Sequence, residues 1–142
     1  MGDDDVKAFD MRTRQPLRVS ALCNRLARID GHTMTVSVRF AWKPSPSPQQ
    51  VHGALVVYIS DATALGCPSA PRYAVFVRKG SDRPQLRLDQ YYQDRAGVFV
   101  GRVRQCPVLD IKFVVLANNV SIGAATSSSI NAEVAVIKGI IH

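Results

Sequence analysis

The sequence has few of the features that mark a membrane, secreted or metal-binding protein. It contains no run of about 18 apolar residues, which a membrane span needs, and its acidic start (Met1–Asp5) is unlike a signal peptide. Its cysteines, Cys23, Cys67 and Cys106, are far apart and lack the C-x-x-C or His-flanked spacing of zinc sites. We therefore expect reduced thiols and no bound metal.

Sequence motifs of catalysis are also absent. There is no Walker loop, no G-x-S-x-G elbow and no dinucleotide-binding fingerprint. The three histidines, His32, His52 and His142, lie apart from any nucleophile or ligand cluster. These absences predict a protein that is not an enzyme and binds no cofactor.

Acidic residues are scarce relative to basic ones. The 142 residues include 18 Lys and Arg but only 11 Asp and Glu, which gives a formal charge of +7. Such a balance favours polyanionic partners such as nucleic acid or anionic lipid, although an ordinary soluble basic domain has the same composition. The length is that of one domain, so we predict a mobile arm at residues 1–15 and a single β domain over residues 16–142.

Short β-strand patterns dominate the rest of the chain. Residues 51–61 form an apolar run rich in β-branched side chains, which predicts a central strand, and residues 34–42 alternate between apolar and polar. Between these two runs, residues 43–50 read as a proline-rich loop, and residues 120–129 as a small polar segment. Further strands are predicted at residues 73–77, 86–88, 98–104, 110–117 and 130–136.

Seven to eight short strands with little helix are typical of an all-β fold, here a jelly-roll-like β-sandwich. Residues 17–29 have apolar side chains at helical spacing and predict a short helix, with a strand over residues 16–22 as the alternative. The predicted core residues are Leu55, Val57, Phe76, Phe113 and Val134.

Basic residues interleaved with tyrosines form the candidate binding site. They fall within the 33 residues from Arg72 to Arg104, a combination that suits single-stranded nucleic acid, although ordinary surface residues would look the same. Arg102 and Arg104 share one strand face if the strand is regular, whereas Gly101 could supply a bulge that breaks the alternation. The predicted contacts are Arg72, Arg78, Lys79, Arg83, Arg87, Arg95, Arg102 and Arg104.

Two stretches carry a resemblance to a known family. The glycine-led strand that runs from Gly53 to Asp61, and the apolar strand with its small-residue tail at residues 113–129, resemble the thirty-kilodalton superfamily of plant-virus movement proteins, particularly cucumber-mosaic-like members. In that family Gly53 and Asp61 would be structural motif residues, and the core would be jelly-roll-like.

The resemblance implies a viral movement protein that binds single-stranded RNA, or alternatively DNA, without sequence preference and carries the genome through plasmodesmata. It also implies self-association, membrane-surface or host plasmodesmal partners, and a location in the host cytoplasm, plasmodesmata or cell periphery. A small jelly-roll coat protein that packages RNA is the alternative, and a protein-interaction module with no polyanion affinity is a third class.

Overall fold

The chain folds into a mixed α/β structure. The computed structural model describes residues 30–41 and 43–141, except for the side chains of Gln93 and Asp94. The strands are β1 (His32–Val38), β2 (Val75–Arg78), β3 (Val98–Gln105) and β4 (Ile111–Ala117). The helices are α1 (Pro48–Val56), α2 (Asp61–Ala64), α3 (Leu86–Asp89) and α4 (Thr126–Ile137), with a 3₁₀ turn at Tyr92–Arg95 and a π-helical turn at Ser121–Ala125.

The four strands form one sheet in the order β1-β4-β3-β2. β4 pairs antiparallel with both β1 and β3, whereas β2 pairs parallel with β3. A parallel pair needs a crossover, and residues 79–97 supply it through α3 and the 3₁₀ turn. The expected all-β jelly roll is therefore wrong.

The core lies on one face of this sheet, where the crossover packs against the strands. Leu86 of α3 contacts Phe99 and Leu116, each only 1% exposed, and Phe76 packs against them. The Tyr92 ring completes the cluster with its centroid 5.0 Å from that of Phe76, in an edge contact. Burying side chains of this size contributes about 1.5–3 kcal/mol each, so this small cluster anchors the crossover.

The predicted core was only partly right. Phe76 packs against the core, but Leu55, Phe113 and Val134 are half-buried and Val57 is 73% exposed. Val57 is exposed because residues 51–61 are not a central strand. They span most of α1 and the start of α2.

Helix α1 begins at a strong local signal. Ser47 and Gln50 form a capping box: the Ser47 hydroxyl accepts from the Gln50 backbone N–H, and the Gln50 side chain accepts from the Ser47 backbone N–H. Pro48 occupies the first turn, where its missing donor costs nothing. Ser60 caps α2 in a similar way by accepting from the Thr63 backbone N–H at 3.2 Å. These caps override the β-branched composition of the run.

The C-terminal region is helical too. The Asn118 side-chain oxygen accepts from the backbone N–H groups of Val120 and Ser121, both at 2.9 Å, and the chain turns there into the π-helical turn and α4. The predicted strands at residues 86–88 and 130–136 are thus helices. The strands predicted near residues 34–42, 73–77, 98–104 and 110–117 are present, while the predicted arm and the segment 17–29 lie outside the described residues.

Candidate functional site

The sheet face opposite the core is apolar along its whole width. We define this apolar face by the side chains that alternate with the core-facing ones: Met34, Val36, Val75, Val77, Val98, Val100, Phe113 and Val115. Val100 is buried, but Met34 is 41% exposed and the other members are half-buried. On the edge strand β1 the opposite side carries exposed Thr33, Thr35 and Ser37 instead. An accessible apolar strip of this kind is typical of a protein interface.

A buried ion cluster lies on the core side. The Asp89 carboxylate is fully buried and accepts hydrogen bonds from Arg78 Nε at 3.0 Å, Arg83 Nε at 2.9 Å and the Gln85 backbone N–H at 2.8 Å. Arg83 also donates through a second guanidinium nitrogen. One carboxylate therefore holds two arginines that the sequence pattern assigned to a nucleic-acid surface.

These contacts set the charge state of the cluster. Burial by itself raises the pKa of Asp89, but the hydrogen bonds from Arg83, Gln85 and Arg78 outweigh it and lower that pKa below the usual value. The hydrogen bond to Asp89 likewise raises the pKa of Arg83. The cluster is thus an ionised carboxylate between two guanidinium groups.

The predicted basic residues do not form one surface. Arg78, Lys79 and Arg102 line a cleft together with His52. Arg72 lies over the Tyr73 ring, Arg87 is exposed on α3, and Arg95 pairs with Asp30 and lies over the Tyr91 ring. The set thus divides between the ion cluster, the cleft and separate surface positions.

Strand β3 is irregular where the last two arginines lie. Its register against β4 shifts between Gly101 and Arg104, and Arg102 has a left-handed φ of 55°. The prediction of a regular strand with Arg102 and Arg104 on one face is therefore wrong. The alternative, a bulge at Gly101, is present. The Arg104 guanidinium donates to the Arg102 carbonyl at 3.0 Å, within the bulge.

Two other kinds of site are not found in the part of the chain that the structure describes. Its His, Cys, Asp and Glu residues form no group of three that could hold a metal ion. None of its helices is long and apolar enough to cross a membrane.

Comparison with known proteins identifies the family. Residues 5–122 match the model of the semialdehyde dehydrogenase dimerisation domain. The chain belongs to this family.

Its relatives include aspartate-semialdehyde dehydrogenases of fungi. The Cryptococcus neoformans var. neoformans protein is 55% identical over 138 residues, which cover 97% of this chain and 38% of that protein. The Saccharomyces cerevisiae protein is 44% identical, with the same coverage of 97% and 38%. The crystal structure of aspartate semialdehyde dehydrogenase with NADP from Candida albicans superimposes with a TM-score of 0.80 at 40% identity, over 96% of this chain and 40% of that one. This chain thus spans about two-fifths of the length of these relatives.

These findings overturn the viral interpretation. The movement-protein resemblance is wrong, and with it the coat-protein alternative, the single-stranded RNA partner and the plasmodesmal location. Gly53 and Asp61 are not strand-motif residues, because Gly53 lies in α1 and Asp61 begins α2. The expectation of a protein without catalytic activity is wrong as well, since the relatives are enzymes.

Two features of the ion cluster and the cleft were missed from the sequence. Asp89 carries the ion cluster, yet it is not among the predicted site residues. His52 has no candidate partner in the sequence, whereas it lies in α1 and lines the cleft. The Ser47–Gln50 capping box was the available signal for that helix, and nothing local indicated the pairing of Asp89 with Arg78.

Proposed function

We propose that the protein carrying this chain is an NADP-dependent aspartate-semialdehyde dehydrogenase, in which the described region supplies the dimer interface. The observation that carries the proposal is the 55% identity over 97% of the chain to the Cryptococcus relative. The Candida albicans structure supports it, because that dehydrogenase contains NADP and shares this fold at a TM-score of 0.80.

The described residues do not fit an NADP site. A dinucleotide pyrophosphate is usually held where a glycine-rich turn leads from a strand into a helix N-terminus. The strands lead into helices through residues 39–47, 79–85 and 118–120, and these connections contain a single glycine, Gly80. We therefore assign these residues no role in hydride transfer.

The apolar face supports the dimerisation part of the proposal. Helix α1 makes its main contacts with β2 and β3, and Met34 on β1 is 41% exposed. A second copy of the chain is the occupant that the family description names, since the matching model is a dimerisation domain. Burying Met34, Val36 and their neighbours against a second copy would remove apolar surface from water, which is the main driving force of association.

Sedimentation equilibrium of the full chain tests the interface. Met34→Lys places a charge on the apolar face and should raise the dimer dissociation constant at least about tenfold, roughly 1.4 kcal/mol. Thr35→Lys is the matched control, because Thr35 is the next residue of the same strand, is exposed, and points to the opposite side. Equal weakening by both variants, or none, would contradict this use of the face.

The enzymatic part needs its own assay. NADPH formation from aspartate semialdehyde and NADP⁺, with inorganic phosphate supplied as the acyl acceptor, should be measured with the purified protein that carries this chain, alongside the Candida albicans enzyme as positive control. Turnover is the expected result. A protein that dimerises through the apolar face but does not turn over aspartate semialdehyde would contradict the activity and leave the interface in place.

A further inference from the structure

A cationic cleft of about 320 Å³ opens beside helix α1. Its volume is at the lower end of the range for small-molecule sites. Helix α1, the end of β2 and the bulge of β3 meet there, and no carboxylate is among the residues that line it. The lining residues are Pro48, Gln49, His52, Arg78, Lys79, Arg102 and Val103.

The positive charge of the cleft is not neutralised by its surroundings. Within residues 30–41 and 43–141, neither Lys79 nor Arg102 forms an ion pair or donates a side-chain hydrogen bond. Arg78 shares the single carboxylate of Asp89 with Arg83, so that trio keeps one positive charge in excess. Like charges gathered around a concave surface raise the local potential and attract an anion.

The bulge in β3 brings Arg102 into this cleft. A Cβ on Gly101 would lie 2.5 Å from the Arg83 carbonyl oxygen, so the crossover passes tightly over the strand at this point. The next residue, Arg102, takes a left-handed φ of 55°, which is unfavourable for a side chain other than glycine. Bulges of this kind re-aim side chains next to functional sites. If the backbone conformation alone decided the residue at position 102, glycine or asparagine would be favoured there.

We propose that the cleft binds a small anion that carries a diphosphate group. The Arg102 guanidinium offers planar pairs of N–H donors that match phosphate oxygens, and the Lys79 ammonium adds a compact charge. The Arg78 guanidinium is held by Asp89 on the core side, so it adds positive potential rather than a direct contact. The His52 imidazole, which also lines the cleft, offers a further N–H donor. This site lies outside the apolar face, and its existence does not depend on the dehydrogenase proposal.

Inorganic pyrophosphate is the probe. Isothermal titration calorimetry with the full 142-residue chain should show saturable binding of one pyrophosphate that weakens as salt rises. In a parallel NMR titration, pyrophosphate should shift the ring resonances of His52, because this residue lines the cleft. His32 reports on general binding elsewhere, since it lies on β1 outside the cleft.

Two matched pairs of substitutions locate the site. Lys79→Gln combined with Arg102→Gln should raise the dissociation constant at least about tenfold. Arg72→Gln combined with Arg87→Gln removes the same charge from exposed positions outside the cleft and should change it by less than about twofold. Arg102→Gly separates binding from folding, because glycine accepts the left-handed backbone. That variant should be at least as stable as the parent and still bind pyrophosphate more weakly.

Three results would overturn the proposal. They are equal loss of affinity in the cleft and control pairs, unchanged affinity in a stably folded Arg102→Gly variant, and His52 ring resonances that do not respond to pyrophosphate. Each would show that the chain attracts pyrophosphate only through its general positive charge or not at all.

Discussion

Arg78 donates from Nε to the buried Asp89 carboxylate at 3.0 Å, which joins the last residue of β2 to the last residue of α3. The same carboxylate accepts from Arg83 and from the Gln85 backbone N–H, so three residues between positions 78 and 85 converge on one side chain. Asp89 thereby fixes the first half of the crossover between the two parallel strands. Leu86 lies in this half of the crossover, so its packing against Phe99 and Leu116 depends on the position that Asp89 fixes.

Asp89→Asn should destabilise the protein by about 3 kcal/mol, because it leaves two partly buried guanidinium groups without their carboxylate. Urea unfolding measures the loss as a lower midpoint. Asp82→Asn is the control, since Asp82 is exposed and accepts a hydrogen bond from the Gln85 side chain, and it should change stability by less than about 0.5 kcal/mol. Similar losses in the two variants would mean that Asp89 is not the anchor of the crossover.

The same carboxylate predicts an acid-dependent loss of stability. The pKa of Asp89 is lower in the folded protein than its ordinary value of 3.8. Its contribution is therefore fully present above the ordinary value and is lost as pH falls through the lower folded value. Urea midpoints measured from neutral pH down to about pH 3 should fall more steeply for the parent than for Asp89→Asn. Parallel curves would contradict the lowered pKa.

Alternation along the chain was a reliable guide to the strands of the sheet. Residues 34–38 alternate between apolar and polar, and they lie in an edge strand with one apolar side and one exposed polar side. A turn precedes this strand, and Gly31 takes a left-handed φ of 77° there. Local pattern sufficed for β1 because this strand has two different environments on its two sides.

The residue composition predicted strands at two places where the structure has helices, because the helix signals there are short. Residues 51–61 are rich in valine and isoleucine, which favours a strand, but the capping box at Ser47–Gln50 starts a helix before that run begins. In residues 130–137, Ile130, Val134 and Ile137 lie at i, i+4 and i+7, a helical spacing that coexists with the alternation read as a strand. A period of two and a period of 3.6 cannot be separated over so few residues.

The ion cluster and the cleft could not be predicted from local pattern at all. The density of arginines was visible, but their division among separate sites depends on the crossover and on the bulge at Gly101. Arg78 and Asp89 are 11 residues apart and meet only because the chain reverses between parallel strands. The same holds for His52, which reaches the cleft because α1 lies beside β2 and β3.

Two glycines with opposite surroundings give a paired prediction. Gly101→Ala should destabilise the protein by about 1–3 kcal/mol, because its Cβ would lie 2.5 Å from the Arg83 carbonyl oxygen and 2.9 Å from Pro84 Cδ. Gly53→Ala should stabilise it by about 0.5–1 kcal/mol, since nothing lies within 4 Å of the added Cβ and alanine is the better helix former. Urea unfolding of both variants provides the measurement. Loss of stability in Gly53→Ala would contradict the helical assignment of α1.

The attachment of α4 rests on a contact between Glu133 and the loop before β2. The Ser69 backbone N–H donates to both Glu133 carboxylate oxygens, at 3.2 and 3.0 Å, and the Ser69 hydroxyl donates to one of them at 2.6 Å. Glu133→Ala removes these charge-assisted bonds and should cost about 1.5 kcal/mol, even though alanine favours the helix. Asn131→Ala is the control, because Asn131 is exposed on the same helix and its replacement gains helix propensity alone. Amide hydrogen exchange should then quicken along α4 in Glu133→Ala and not in Asn131→Ala. Equal exchange in the two variants would show that α4 is held by other contacts.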